Sequence, residues 1–281
     1  MTETTRPRAV AARRMIGLTT AATTALVGLS AVAGSPDRGS WGAGDDRLTL
    51  AQASGEGGGV TGGEVEGEGE GGGMVDLDQG LQRDLSFMEG HIRAGLALYE
   101  EGDLQAAKTH MGHPIKEKYG AVSEPLAELG YSRLRDQIEA IAAATEAEAP
   151  FSEVQAAFDT ARATIEEVRA EISPQDQMLG LAALLRVAGD EYTVAVNGGE
   201  ISNLHEYQDS WGFVQVVEAE LRQLTRNDDE ALAAAGANGL DYLGQTEAAF
   251  GDLQGRGEIA LDPSLLYVAA ARVELEALGL S

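Results

Sequence analysis

The chain of 281 residues contains no cysteine. It therefore cannot form a disulfide, a thiolate-ligated zinc site or the C-x-x-C-H attachment of a c-type haem, so covalent haem is excluded. Basic residues are also scarce, because 20 Lys and Arg stand against 46 Asp and Glu, for a formal net charge of −26. Such a negative chain repels polyanions. We therefore expect neither nucleic acid nor an anionic membrane surface as a partner.

The amino-terminal region is less acidic than the rest and predicts export. Four arginines lie among the first 14 residues, ahead of an uncharged stretch at 15–33 that is rich in Ala, Thr, Leu and Val. Ala31-Val32-Ala33 provides the small residues of a cleavage site, so residues 1–34 are predicted to be a signal peptide of a periplasmic or otherwise exported bacterial protein. An uncleaved membrane anchor is the alternative, although Gly, Thr and Ser make the stretch weakly apolar.

A segment of low complexity follows the predicted signal. Residues 54–73 contain 11 Gly and 5 Glu and almost nothing that could be buried. Such a segment cannot offset the entropy that ordering would cost. We expect residues 35–78 to form a disordered linker, and residues 79–281 to form one helical bundle domain, long enough for a hydrophobic core.

The sequence of residues 79–281 predicts an all-α fold. Ala, Leu and Glu dominate, and no stretch shows the alternating β-branched pattern of strands. Apolar residues at helical spacing and short connections predict an antiparallel helix bundle, in which residues 90–113 form one tetratricopeptide-like helical hairpin. The predicted helices span residues 79–101, 103–112, 121–129, 131–147, 152–172, 174–196, 203–225, 228–250 and 263–279.

Three of the four histidines flank the turn of that hairpin. His91 precedes the turn and His110 and His113 follow it at similar separations, so a rise of about 1.5 Å per residue places all three at one height. Imidazoles on helices about 8–10 Å apart can reach one ion, and Glu117 adds a carboxylate. The set His91, His110, His113 and Glu117 predicts a metal site for iron, zinc or copper. The alternative is that these histidines only pack or cap helix ends.

A second candidate cluster is acidic. Glu191 lies on the apolar stripe of its helix, where a carboxylate is costly unless it is paired, protonated or bound to a cation. Glu206 and Asp209 follow a Gly-Gly turn at a comparable distance, so Glu191, Glu206 and Asp209 could form a hard-cation site. Alternatively, Glu191 pairs with Arg186 or Arg222 and only fixes the helix register. His205 is assigned to neither cluster, because adjacent residues of a helix do not face each other.

The stretch 191–207, E-Y-x-x-A-V-x-x-G-x-I-x-x-x-x-E-Y, resembles a segment of the exported helical domains that precede the membrane part of some bacterial high-affinity iron permeases. A looser similarity is to the imelysin-like periplasmic iron-uptake proteins, which are helical bundles with a G-x-H-x-x-E motif. Gly112-His113 and Glu117 are spaced differently from that motif. The resemblance implies a periplasmic role around iron or another metal, with Glu191, Glu206 and His113 as the matching positions.

These observations predict an exported protein that binds a metal ion or metal cofactor and is accessory to iron or metal uptake. Its expected partners are the metal ion and a membrane permease or other envelope protein. The expected mechanism is capture and hand-over, because no group is visibly positioned for turnover, and an enzyme is therefore not expected. The alternatives are a non-catalytic envelope scaffold that binds protein partners, and a metal-dependent hydrolase, which needs an open coordination position beside a general base.

Overall fold

The computed structural model describes residues 77–280. The predicted signal peptide and all but the end of the predicted linker lie outside the described residues. Within them the fold is all-α, as predicted from the sequence. The α-helices are α1 (Leu77–Glu101), α2 (Leu104–His113), α3 (Tyr119–Glu128), α4 (Arg133–Glu146), α5 (Phe151–Arg169), α6 (Pro174–Ala195), α7 (Leu204–Leu224), α8 (Glu230–Gly244) and α9 (Ser264–Leu278). In this part of the chain no helix is both long and apolar enough to span a membrane.

The turn between α1 and α2 forms the predicted helical hairpin. Gly102 has a φ of +86°, a conformation that glycine adopts without steric cost. The next residue, Asp103, accepts a hydrogen bond from the backbone N–H of Ala106 at 3.2 Å and so caps α2. The hairpin therefore aligns the end of α1 with α2, in antiparallel order.

The gap between the predicted helices 103–112 and 121–129 is helical in the structure, so the interruption that these bounds predict is wrong. A π-helical segment, Pro114–Lys118, connects α2 to α3, and the N–H of Tyr119 bonds to the carbonyl of Pro114. Proline lacks an N–H and so interrupts the hydrogen-bond ladder of a regular α-helix, and the chain stays helical here through a wider π turn that begins at the proline. The helical arm therefore continues beyond His113, and Glu117 stays beside the histidines.

The hairpin between α6 and α7 turns at the predicted Gly-Gly pair. Gly198 and Gly199 have φ values of +64° and +83°, which suits the two-residue turns that join antiparallel strands. They connect β1 (Val196–Asn197) to β2 (Glu200–Ile201). This short ribbon brings the end of α6 level with the start of α7.

Two hydrophobic clusters lie on either side of the helices α1 and α7. One cluster fills the space among α6, α7, α8 and α9, and the other the space among α1, α2, α4 and α5. The helices α1 and α7 cross closely, because a Cβ added to Gly212 would lie only 2.4 Å from the carbonyl oxygen of Gly90. Glycine at both positions therefore lets the two backbones approach, immediately beside His91.

A buried arginine also joins α1 to α7. Arg169, at the end of α5, lies 2.9 Å from Glu89 of α1 and 2.5 Å from Glu220 of α7. Its guanidinium also donates to Ser86 at 2.9 Å. A buried ion pair adds little net stability but is costly to break, so it fixes the helix positions.

Candidate metal centre

The α1–α7 crossing and the α2 arm bring all four histidines of the chain together. Ring centroids lie 5.2 Å apart for His91 and His113, 4.3 Å for His110 and His205, and 4.7 Å for His113 and His205. The three histidines predicted to converge therefore do so. The sequence reasoning missed His205, which comes from the second hairpin and completes the cluster.

Asp209 lies at the centre of the histidines and is only 2% exposed. Its Oδ1 lies 2.5 Å from Nδ1 of His91 and 2.8 Å from Nδ1 of His110. Its Oδ2 lies 3.3 Å from Nε2 of His205. The sequence grouped Asp209 with Glu191 and Glu206, whereas the structure places its carboxylate among the imidazoles.

The surroundings of His110 favour its protonated form. The side-chain amide of Gln208 donates to the carbonyl of Leu253 at 2.9 Å, which directs its Oε1 at Nε2 of His110, 2.9 Å away. Nδ1 of His110 faces Asp209, so both ring nitrogens donate. Burial alone would lower the pKa of His110, but the Asp209 carboxylate and these hydrogen bonds outweigh it and raise the pKa.

Two of the other imidazoles are held neutral. Burial, together with the neighbouring His91, lowers the pKa of His113 to about 3. Burial also lowers the pKa of His205, although Asp209 acts in the opposite direction. A neutral imidazole keeps a free lone pair, which is the form that binds a metal ion.

The carboxylate of Asp209 is ionised despite its burial. Burial would raise its pKa, but His91 and His110 together hold the pKa well below its usual range. The centre therefore combines an anionic oxygen donor with neutral nitrogen donors.

His91 has unsatisfied ring nitrogens. The residue is 2% exposed, and neither ring nitrogen has a hydrogen-bond partner within residues 77–280. Nδ1 is close to Asp209 without hydrogen-bond alignment, and Nε2 lies 3.7 Å from Oε2 of Glu117. Leaving a buried polar group unpaired costs about 1–3 kcal/mol, and a bound cation would provide the partner.

Glu117 lies at the rim of the centre. Its side chain is 23% exposed, and its Oε1 lies 3.1 Å from Nδ1 of His113, one helical turn earlier. One carboxylate thus approaches both His91 and His113, from the π-helical segment. The predicted group of His91, His110, His113 and Glu117 is therefore brought together.

The carboxyl groups of Glu191 and Glu206 form a neighbouring acid pair across α6 and α7. Burial, then the hydrogen bond and the repulsion between the two groups, raises the pKa of Glu191 to about 9. The pair therefore shares a proton at neutral pH. Arg186 and Arg222 bond instead to Glu274 and Glu218, so the alternative in which one of them pairs with Glu191 is wrong.

The donor atoms lie close to the spacing that a metal ion requires. Within the described residues, three overlapping sets of three ligands have donor atoms within 4.8 Å of one another. Donors at about 2.1 Å from one ion lie at most about 4.2 Å apart, so small shifts would close each set. The buried His and Asp groups could therefore hold a metal ion. The sets are His91–His113–Glu117, His91–His110–Asp209 and His113–His205–Asp209.

The chain matches one known family over part of its length. Residues 169–250 match the family model described as the iron permease-associated 4-helix bundle domain. The matched range includes α6 and α7, with the acid pair, His205 and Asp209, whereas the other three histidines lie before it. No curated protein and no solved structure matches the chain. Residues 169–250 are therefore similar to the iron permease-associated helical domain, in agreement with the resemblance seen in the sequence.

Proposed function

We propose that this protein is an exported metal-binding protein that serves iron or other metal uptake. Its site consists of His91, His110, His113, Glu117 and Asp209, together with His205. The observation that carries the proposal is the convergence of every histidine of the chain on one buried carboxylate. Imidazole with carboxylate is a donor set that iron, zinc and copper accept.

Packing alone is a poor explanation of this arrangement. A core would bury apolar side chains here at a gain of about 25 cal/mol per Å². The protein instead buries His91, His110 and Asp209, and leaves both ring nitrogens of His91 without a hydrogen bond. Polar clusters that cost stability in this way are retained where they bind or react.

The mechanism is reversible capture. The excess of 46 acidic over 20 basic residues attracts cations. A cation would first contact Glu117 at the rim and then bind Asp209. Binding to Asp209 would displace the proton on the His110 nitrogen that faces this carboxylate. Metal affinity is therefore coupled to proton release, and acidification favours release of the ion.

The acid pair extends this site toward the α6–α7 hairpin. The charges of Glu206 and Asp209 act on His110 and Glu191 respectively, so the two clusters are electrostatic neighbours. We assign Glu191 and Glu206 to the transit of a hard cation, which would replace the shared proton. The iron permease-associated match supports a membrane permease as the partner that exchanges metal with this domain.

Equilibrium dialysis of the purified chain against Fe²⁺, Zn²⁺ and Cu²⁺ tests the proposal, with metal counted by mass spectrometry. We expect a dissociation constant below about 10 μM for at least one ion, which corresponds to roughly 7 kcal/mol. His113→Ala should weaken binding at least about tenfold.

Asp228→Asn is the matched control, because Asp228 is exposed, and it should leave binding unchanged. Binding weaker than about 100 μM for every ion, or binding that His91→Ala and His113→Ala together do not alter, would contradict the proposal. Metal-independent capture of envelope proteins would then favour the scaffold function.

A further inference from the structure

His110 and His205 are stacked face to face. Their ring centroids lie 4.3 Å apart and their planes differ by 23°. A metal ion lies close to the plane of each imidazole that binds it, about 2 Å from the nitrogen. The planes of these two rings are so nearly parallel that they intersect only on the order of 10 Å from the rings. That distance is far longer than a bond from a metal ion to an imidazole nitrogen. In this arrangement the two rings cannot bind the same ion.

The carboxylate between them presents its two oxygens to different rings. Oδ1 of Asp209 faces Nδ1 of both His91 and His110, at 2.5 and 2.8 Å, whereas Oδ2 faces Nε2 of His205, at 3.3 Å. His113 joins His205 and Asp209 in one ligand set. Oδ1 of Asp209 therefore lies between His91 and His110, and Oδ2 lies beside His205, which shares a ligand set with His113. The third ligand set joins His91 to His113 through Glu117.

We propose that this centre binds two divalent cations bridged by Asp209, an inference that rests on the metal-binding function proposed above. One ion takes His91, His110 and Oδ1 of Asp209. The other takes His113, His205 and Oδ2. Such ions lie about 3.5–4 Å apart in proteins with two-metal sites, a separation that one carboxylate can bridge.

Two of the remaining ring nitrogens, one in His110 and one in His113, have the partners that ligating histidines require. A histidine that binds a metal through one nitrogen donates from the other to a carboxylate, carbonyl or amide oxygen, which fixes the ring. Nε2 of His110 faces Oε1 of Gln208 at 2.9 Å. Glu117 stands 3.1 Å from Nδ1 of His113 and 3.7 Å from Nε2 of His91. Glu117 is therefore placed to orient the imidazole of His113, as a positioning residue.

A ligand set of two imidazole nitrogens and one carboxylate oxygen determines which cations the centre can bind. Ions of intermediate softness, such as Fe²⁺, Cu²⁺ and Zn²⁺, accept two imidazoles and one carboxylate oxygen, whereas Mg²⁺ and Ca²⁺ prefer all-oxygen ligands. The substrate class is therefore a pair of divalent transition-metal ions, and Mg²⁺ and Ca²⁺ should not compete.

Metal stoichiometry of the full chain tests the two-ion arrangement. We expect two Zn²⁺ or two Cu²⁺ per chain at saturation, and two bound Cu²⁺ should show the magnetic coupling of a bridged pair by electron paramagnetic resonance. His205→Ala should reduce the stoichiometry from two to one, and Asp228→Asn should leave it at two. Circular dichroism confirms that each variant is folded.

The outcomes separate this inference from the proposed function. One ion per wild-type chain, or two Cu²⁺ without magnetic coupling, overturns the bridged pair and leaves metal binding intact. No bound ion overturns both. Because the stoichiometry and the magnetic coupling of the wild-type chain together decide the question, a variant that fails to fold does not affect the test.

Discussion

Asp209→Asn removes the one buried anion that faces the histidines, and we expect it to destabilise the protein even without metal. His110 is fully buried, and its Nδ1 lies 2.8 Å from the Asp209 carboxylate, which raises the pKa of the imidazole. Asparagine keeps the shape of the side chain and loses the charge, so a protonated His110 is either left without its counter-ion or must give up its proton. Removing one partner of a buried pair costs about 3–5 kcal/mol. The expected loss of unfolding free energy is of that size.

The loss depends on pH in a defined direction. The folded pKa of His110 is raised, so its stabilisation is complete below the unfolded value of 6.5 and is lost as pH rises through the folded value. The folded pKa of Asp209 is lowered, so its stabilisation is present above 3.8 and is lost as pH falls through the folded value. The difference between wild type and Asp209→Asn should therefore be largest between pH 4 and 6.5 and smaller at higher pH.

Urea denaturation in the presence of a chelator measures this difference in unfolding free energy. The unfolding curves of wild type and Asp209→Asn are compared at pH 5.5 and at pH 8.5. The exposed Asp228→Asn should change the unfolding free energy by less than about 0.5 kcal/mol at either pH. Two results would refute the assignment of a charged His110–Asp209 pair. One is an unfolding free energy of Asp209→Asn within about 0.5 kcal/mol of wild type at pH 5.5. The other is a difference in unfolding free energy that grows toward high pH.

Three other perturbations act on the site from different directions. Metal affinity should rise by up to about tenfold per pH unit as the pH approaches 6.5 from below, because the pKa of His110 is raised above that value and its proton must leave. Calorimetry in buffers of different ionisation enthalpy measures the protons released, and release of no proton contradicts the prediction. Gly212→Ala would place a Cβ 2.4 Å from the Gly90 carbonyl oxygen. Thermal melts should therefore show a loss of about 1–3 kcal/mol of unfolding free energy, together with weaker metal binding. A melting temperature equal to that of wild type counts against the close crossing of α1 and α7. Glu191→Gln should stabilise the metal-free protein at pH 8 by at least about 1 kcal/mol in urea titrations. The reason is that folding disfavours the charged form of Glu191, whose pKa is raised to about 9. Equal stability of the two proteins argues against the buried acid pair.

The parts of the fold that depend on local signals could be predicted from the sequence. Gly102, Asp103 and the Gly198-Gly199 pair mark the two hairpin turns, and Ser173 caps α6 by accepting from Asp176 at 3.1 Å. The level placement of His91, His110 and His113 follows from the helical rise on either side of a short turn. Such features need only neighbouring residues.

The parts that depend on tertiary packing were missed. The approach of α7 to α1 depends on small residues at Gly90 and Gly212, which lie far apart in the sequence, so His205 and Asp209 could not be placed against His91. One signal was present, since His205 and Asp209 are spaced i, i+4 and lie on one helix face. The predicted gap between residues 112 and 121 was wrong because the chain stays helical there through a π turn.

X-ray absorption spectroscopy of the metal-loaded protein tests the central claim most directly. The account predicts that the bound ion has imidazole nitrogens among its ligands, at about 2.0–2.1 Å for zinc, with the multiple-scattering pattern of at least two histidines and the balance from carboxylate oxygen. A coordination sphere of oxygen alone, without imidazole scattering, would contradict it, because the ion would then lie on the acidic surface and not among the four histidines.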